Sequence, residues 1–217
     1  MNSLQRKIIE ERLNFEINDN TFENFIKYSK LFLEYNSHTN LMSKNDTKVL
    51  FEKHIFDSLS LNLFFQKYNM SNMLDIGTGG GFPSLPVALA FPTIEVVAID
   101  SIQKKLNFIE SVKKELDLKN IKTICTRAEN FDTKMLNNFD MVTCRAVSAL
   151  KNLFDYTIPY IKQDGYFVAF KSKIYEQELE DAKNIIKKSK VKLIDVIDYA
   201  LPLTENFERK LLIFQKL

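Results

Sequence analysis

Apolar positions recur at two different periods along the chain, and the period changes once. From Met1 to about Tyr68 the spacing is helical. Leu4, Ile8, Ile9 and Leu13 form one stripe, as expected for an amphipathic helix. Phe22, Phe25, Ile26, Leu31, Phe32 and Tyr35 follow the polar start Asp19-Asn20-Thr21 and predict a second helix. The segment Asn36 to Asp46 is polar and breaks the pattern, and Thr47 to Tyr68 resumes it with Val49, Leu50, His54, Ile55, Leu59, Leu61 and Leu63.

Beyond Asn72 short apolar runs alternate with helical stretches. Strands are expected at 73–76, 95–100, 121–126, 139–144, 165–171, 191–199 and 210–216. Helices are expected at 83–91, 102–116, 150–161 and 175–188. Strands alternating with helices imply an α/β fold with a mostly parallel sheet covered on both faces. The last two strands are separated only by Ala200 to Arg209. No crossover helix fits there, so the final strand should be antiparallel. The division is a helical extension, residues 1–68, before a sheet domain, residues 69–217.

Composition sharpens one place. The 217 residues include only 5 glycines, well below the usual share of roughly 7%. Four of them are Gly77, Gly79, Gly80 and Gly81, directly after the first strand. Glycine there permits positive φ and lets a ligand approach the backbone. A strand–turn–helix of this kind suits an adenosine-containing cofactor, or is a tight turn without a ligand. A dinucleotide site calls for a further glycine where Phe82 stands, and for N–H donors where Pro83 stands. Asp100 ends the next strand and can accept from both hydroxyls of a ribose.

Charge and cysteine usage exclude other classes. There are 30 basic and 28 acidic residues, a net charge of +2, so any polyanion site must be local. Arg127, Arg145, Lys171 and Arg209 all fall at strand ends or adjoining loops. In an open α/β sheet those ends face the ligand crevice, and the four together are expected to form a phosphate-binding rim. Two cysteines exclude a disulfide framework. Cys144 ends a buried strand and reads as structural rather than as a nucleophile. His54 reads as a helix-packing histidine, or as a contact that closes the N-terminal helices over the pocket. Two histidines make no convincing metal site. No apolar run is long enough for a membrane span or signal peptide, so a cytoplasmic location is expected.

The pattern Asp75-x-Gly77-x-Gly79-x-Gly81, with Asp100 closing the next strand, resembles the Rossmann-like class I S-adenosylmethionine methyltransferases. That resemblance places Asp75 near the cofactor's methionine and ribose moieties, its carboxylate on the cationic amino end. Further segments narrow it: Asn40-Leu41, Lys53-His54-Ile55-Phe56-Asp57-Ser58, the loop from Asp75 to Pro86, Arg127-Ala128-Glu129, Arg145-Ala146, Lys171, and Glu208-Arg209-Lys210-Leu211. Together they resemble the bacterial 16S ribosomal RNA (guanine-N7) methyltransferase G family, also called glucose-inhibited division protein B. The sequence departs from that family at Cys144, where a serine is common, and at Ser172-Lys173, which lacks a glycine.

The resemblance implies methyl transfer from S-adenosylmethionine to N7 of a guanosine in the 530-loop region of 16S rRNA, naked or in the small subunit, by a monomer. It implies cofactor contacts at Gly77, Phe82, Ala128, Glu129 and Arg145, beside Asp75, Gly79, Gly81 and Asp100. The RNA candidates are Arg127, Arg145, Lys171, Arg209 and His54, and no acid or base is assigned. The chemistry agrees, because N7 carries a free lone pair and needs only positioning. A small-molecule methyltransferase on the same fold and a non-catalytic RNA- or ribosome-binding module stay open at this point.

Overall fold

A computed structural model describes residues 1–145, 149–172, 175–203 and 207–217. Ala146, Lys173 and residues 204–206 of the loop before the last strand lie outside the described residues.

Seven strands form one sheet: β1 (Asn72–Ile76), β2 (Glu95–Asp100), β3 (Ile121–Cys125), β4 (Phe139–Cys144), β5 (Ile161–Ser172), β6 (Val191–Leu201) and β7 (Phe207–Lys216). Their order is β3-β2-β1-β4-β5-β7-β6. β1 to β5 pair in parallel, and β7 runs antiparallel to both β5 and β6. The expected mostly parallel sheet with an antiparallel last strand is therefore present. The chain reverses its strand order between β1 and β4, which opens a crevice at their carboxyl ends.

Alternation along the strands feeds two cores. Met73, Met141, Val168, Leu211 and Ile213 face one side, where they pack with α1 (Ser3–Leu13), α2 (Asp19–Thr39), α6 (Ser84–Ala90) and α7 (Gln103–Glu115). Leu74, Val142, Phe167, Leu212 and Phe214 face the other, with α8 (Leu150–Thr157) and α9 (Tyr175–Lys188). The helices before β1 thus share a core with one face of the sheet.

Several boundaries differ from the sequence expectation. Leu4 is exposed, and the buried stripe of α1 is Ile9 and Leu13. α2 continues through the polar segment to Thr39, because Asn36 is buried and clamps the following loop. Its Oδ1 accepts from the Met42 N–H at 2.7 Å and its Nδ2 donates to the Met42 carbonyl at 3.1 Å. The stretch expected as one helix over 47–68 is broken into α3 (Lys44–Thr47), a π-helical turn (Phe51–Ile55), α4 (Phe56–Leu59) and α5 (Asn62–Phe65). Buried Ser58 and Ser60 donate to the carbonyls of His54 and Asp57, competing with regular helix bonds. α8 stops at Thr157, before the short turn carrying Pro159, and Ile161 already belongs to β5.

Candidate active site

The loop after β1 is held from beneath. Asp75 ends inside the protein, fully buried, and its Oδ2 accepts from the Ser84 hydroxyl at 2.6 Å. Ser84 in turn accepts from the Thr78 hydroxyl at 3.0 Å. Burial pushes the Asp75 carboxyl up to about 6, against hydrogen bonds from Ser84 and Thr78 and the charge of Arg145. Its Oδ1 has no partner among the described residues. The side chain points inward and anchors the loop.

The glycines divide by role. Gly77 and Gly79 have φ of 73° and 58°, and a Cβ on Gly79 would meet nothing closer than 3.9 Å. They face open space. Gly81 does not: at φ 89° a Cβ would sit 2.6 Å from a methyl carbon of Leu85. Its lack of a side chain serves packing. The start of α6 offers no pyrophosphate site. Pro83 and Pro86 lack N–H groups, and the Leu85 N–H donates to the Gly81 carbonyl.

Three adjoining cavities open at this edge. The first, about 500 Å³, is lined by Gly77, Asp100, Ser101, Ile102, Arg127, Ala128, Glu129 and Arg145 among others. Asp100 is nearly buried at its wall. Its carboxylate accepts from the Gly79 and Ile102 N–H groups, each at 2.9 Å, so it ties the loop to the end of β2. Ala128 and Glu129 start a short 3-10 turn after β3. The second cavity, about 320 Å³, is bounded by Met42, Ser43, Asp46, His54, the turn 77–80, Phe82 and Arg145. The third, about 300 Å³, is bounded by Asp46, Lys53, His54, Asp57, Arg145, Leu201, Phe207 and Arg209.

Arg145 borders all three and is held on every side. Its guanidinium lies 5.3 Å from the centre of the Phe82 ring, a cation–π contact. Nη1 donates to the Lys53 carbonyl and to Asp57 Oδ2, both at 3.3 Å, and Nη2 is 2.9 Å from His54 Nδ1. A guanidinium has no acceptor, so Nδ1 accepts and the His54 proton sits on Nε2. Burial, then the Arg145 charge, pulls the imidazole down to about 4, which keeps it neutral at pH 7.

Asp57 is the common acceptor. It is almost completely buried in α4. Tyr199 donates to Oδ1 at 2.6 Å, and Arg209 spans both oxygens at 3.2 Å each. A carboxylate shared by two guanidiniums and a phenol joins the helices before β1 to β4, β6 and β7.

Of the four basic residues expected at a phosphate-binding rim, three have carboxylate partners. Arg145 and Arg209 share Asp57, and Lys171, itself nearly buried, donates to Glu178 at 2.6 Å. Lys171 lies outside the three cavities. Arg127 alone of the four is exposed and has no ion pair among the described residues. His54 meets Arg145 and the Phe82 ring. Burial, above all, pushes the Cys144 thiol up to about 12, consistent with a structural cysteine. Asp46, Tyr199 and Phe207 were not anticipated. Each needs the tertiary fold to bring it to the site, and none stands in a spacing that marks it.

Comparison with known proteins agrees with this architecture. The family model described as rRNA small subunit methyltransferase G matches residues 21–205. The Ribosomal RNA small subunit methyltransferase G of Lysinibacillus sphaericus is 36% identical over 204 residues, 93% of this chain and 85% of the relative. A SAM dependent methyltransferase from Aquifex aeolicus superposes with a TM-score of 0.57 at 17% identity, over 74% of this chain and 89% of the other. M. jannaschii TYW2, solved in complex with AdoMet, gives a TM-score of 0.55 at 19% identity, over 70% of each chain.

Proposed function

The chain belongs to the rRNA small subunit methyltransferase G family, and from that premise we propose that it methylates N7 of a guanosine in the 530-loop region of 16S rRNA. The methyl donor is S-adenosylmethionine, in keeping with the M. jannaschii neighbour solved with AdoMet. The cavities fit it. Asp100 and the Ala128-Glu129 turn offer carboxylate and backbone groups to an adenosine in the first cavity. Gly77 and Arg145 continue into the second, where the turn 77–80 leaves room for a methionine chain. Bound there, the cofactor supplies an electrophilic sulfonium methyl group.

The observation that carries the N7 reading is the state of the two acceptor side chains touching Arg145. Asp57 is saturated by Arg145, Arg209 and Tyr199, and His54 Nδ1 is occupied by Arg145. The two acceptors beside Arg145 are thus committed, and neither is placed to take a proton from a nucleophile. Guanine N7 has no proton to lose, so it asks of the protein only alignment and exclusion of water. Arg145, locked over Phe82, supplies a fixed positive wall for that alignment. We place the reaction in the cytoplasm, on 16S rRNA naked or in the small subunit, with the chain acting as a monomer.

The test is mass mapping of 16S rRNA from cells lacking the protein. Loss of the N7 methyl group from one 530-loop guanosine, restored by the purified chain and S-adenosylmethionine, is expected. Full methylation without the protein would overturn the reading.

A further inference from the structure

We propose that the third cavity receives the target guanine and that Asp46 reads its Watson–Crick edge. The proposal rests on the N7 reaction above and names the residue that selects the base.

Asp46 borders both the second and the third cavity, together with His54 and Arg145. Its position is built. Buried Asn36 grips Met42 at two points, and Ser43 donates to Asp46 Oδ2 at 2.7 Å while accepting from the Asp46 N–H at 3.1 Å. Oδ1 makes no hydrogen bond among the described residues, and Asp46 has no ion pair there although Lys53, Arg145 and Arg209 line the same cavity. The other carboxylate of that cavity, Asp57, is saturated. Asp46 thus presents a free carboxylate oxygen to a space that Lys53, Arg145 and Arg209 also line.

The same cavity is lined by Phe207, half-exposed, with the Lys53 ammonium 5.8 Å from its ring centre. An exposed ring suits stacking of a base, and the nearby cation suits a flanking phosphate. A carboxylate only accepts. Guanine offers adjacent donors, N1–H and the N2 amino group, whereas adenine presents a lone pair at N1 and is repelled. Held by that edge, guanine keeps N7 free on its other side and turns O6 towards cations.

The experiment compares a 16S rRNA fragment with its inosine-substituted twin, which lacks only the N2 amino group at the target. The enzymes are wild type, Asp46→Asn and Asp46→Ala. Asp46→Asn retains an oxygen for Ser43, which keeps the test informative if the alanine variant folds poorly. Wild type should prefer guanosine by roughly tenfold or more in kcat/KM. In the variants that ratio should fall to about one, through loss on guanosine, with thermal midpoint and S-adenosylhomocysteine affinity by calorimetry unchanged. An unchanged ratio in the variants, or no preference in wild type, would overturn the role of Asp46. Lost S-adenosylhomocysteine affinity with the preference intact would do the same and assign the carboxylate to the cofactor. Methyl on an atom other than N7 in wild type would overturn the reaction itself, and this inference with it.

Discussion

The β1–β2–β3 side of the cleft is assembled from near neighbours in the chain, the β4–β7 side from distant ones. Asp75 and Ser84 are 9 positions apart, and Gly79 and Asp100 are 21 apart. Asp57 reaches Arg145 across 88 positions, Tyr199 across 142 and Arg209 across 152. The first side uses backbone N–H groups and hydroxyls to hold a loop. The second uses buried opposite charges to hold four segments together. The local side is set by turn geometry, whereas the distant side exists only when the whole fold is closed. Breaking each side should therefore have a different signature.

The largest effect is expected at Asp57. Removing it in Asp57→Ala leaves two mostly buried guanidiniums and a buried phenol without their acceptor, and should cost about 3 to 5 kcal/mol of stability. Urea unfolding measures this directly, and methyl transfer should be lost even where the variant is still folded. A loss below about 1 kcal/mol, the range of a surface ion pair, would mean that apolar packing alone joins the segments and the charge cluster is incidental.

The next effect separates the two sides by pH. On the local side, Asp75 is raised to about 6 from an ordinary 3.8. Between those values the folded chain keeps a proton that the unfolded chain has released, so this group makes stability fall as pH rises through the window. The span corresponds to about 2 to 3 kcal/mol. On the distant side, His54 is lowered to about 4 from 6.5. There the unfolded chain holds the extra proton, and stability rises as pH climbs from about 4 to 6.5. The two slopes oppose each other in the wild type. Asp75→Asn should therefore gain stability relative to wild type as pH rises from 4 to 6, and His54→Gln should lose it. Parallel curves of urea midpoint against pH for all three proteins would refute both assignments.

The same division explains what could be read without coordinates. Strand alternation and the clustered glycines located the sheet and the turn after its first strand, because φ limits and period 2 act within a few residues. The antiparallel β7 followed from a loop too short for a crossover. What could not be read was non-local. The bond of Asp75 to Ser84 was not legible, because spacing does not say which way a strand's last side chain points. Gly81 was grouped with its neighbours because only packing against Leu85 distinguishes it. The break of residues 47–68 into short pieces depends on buried Ser58, Ser60 and Asp57, whose burial no hydropathy pattern shows. Arg145, Lys171 and Arg209 were placed correctly at the edge, but their carboxylate partners come from other elements.

That last point gives the smallest and most selective test. Of the four basic residues expected to hold RNA phosphates, Arg127 stands on the local side, exposed and without an ion pair among the described residues, beside the first cavity. A phosphate contact by such a residue releases about one counterion's worth of salt dependence and carries no base specificity. Arg127→Ala should therefore weaken binding of a 16S rRNA fragment about equally for all sequences, and reduce the slope of log affinity against log salt by about one. Stability should stay within about 0.5 kcal/mol of wild type, as for a surface substitution. Arg209→Ala should behave in the opposite way, losing stability because buried Asp57 loses one of its two guanidinium partners. Anisotropy titrations over a salt series, paired with urea unfolding, read both. An unchanged salt slope in Arg127→Ala would move the phosphate contact to the distant side, where it would have to compete with Asp57 for Arg145 and Arg209.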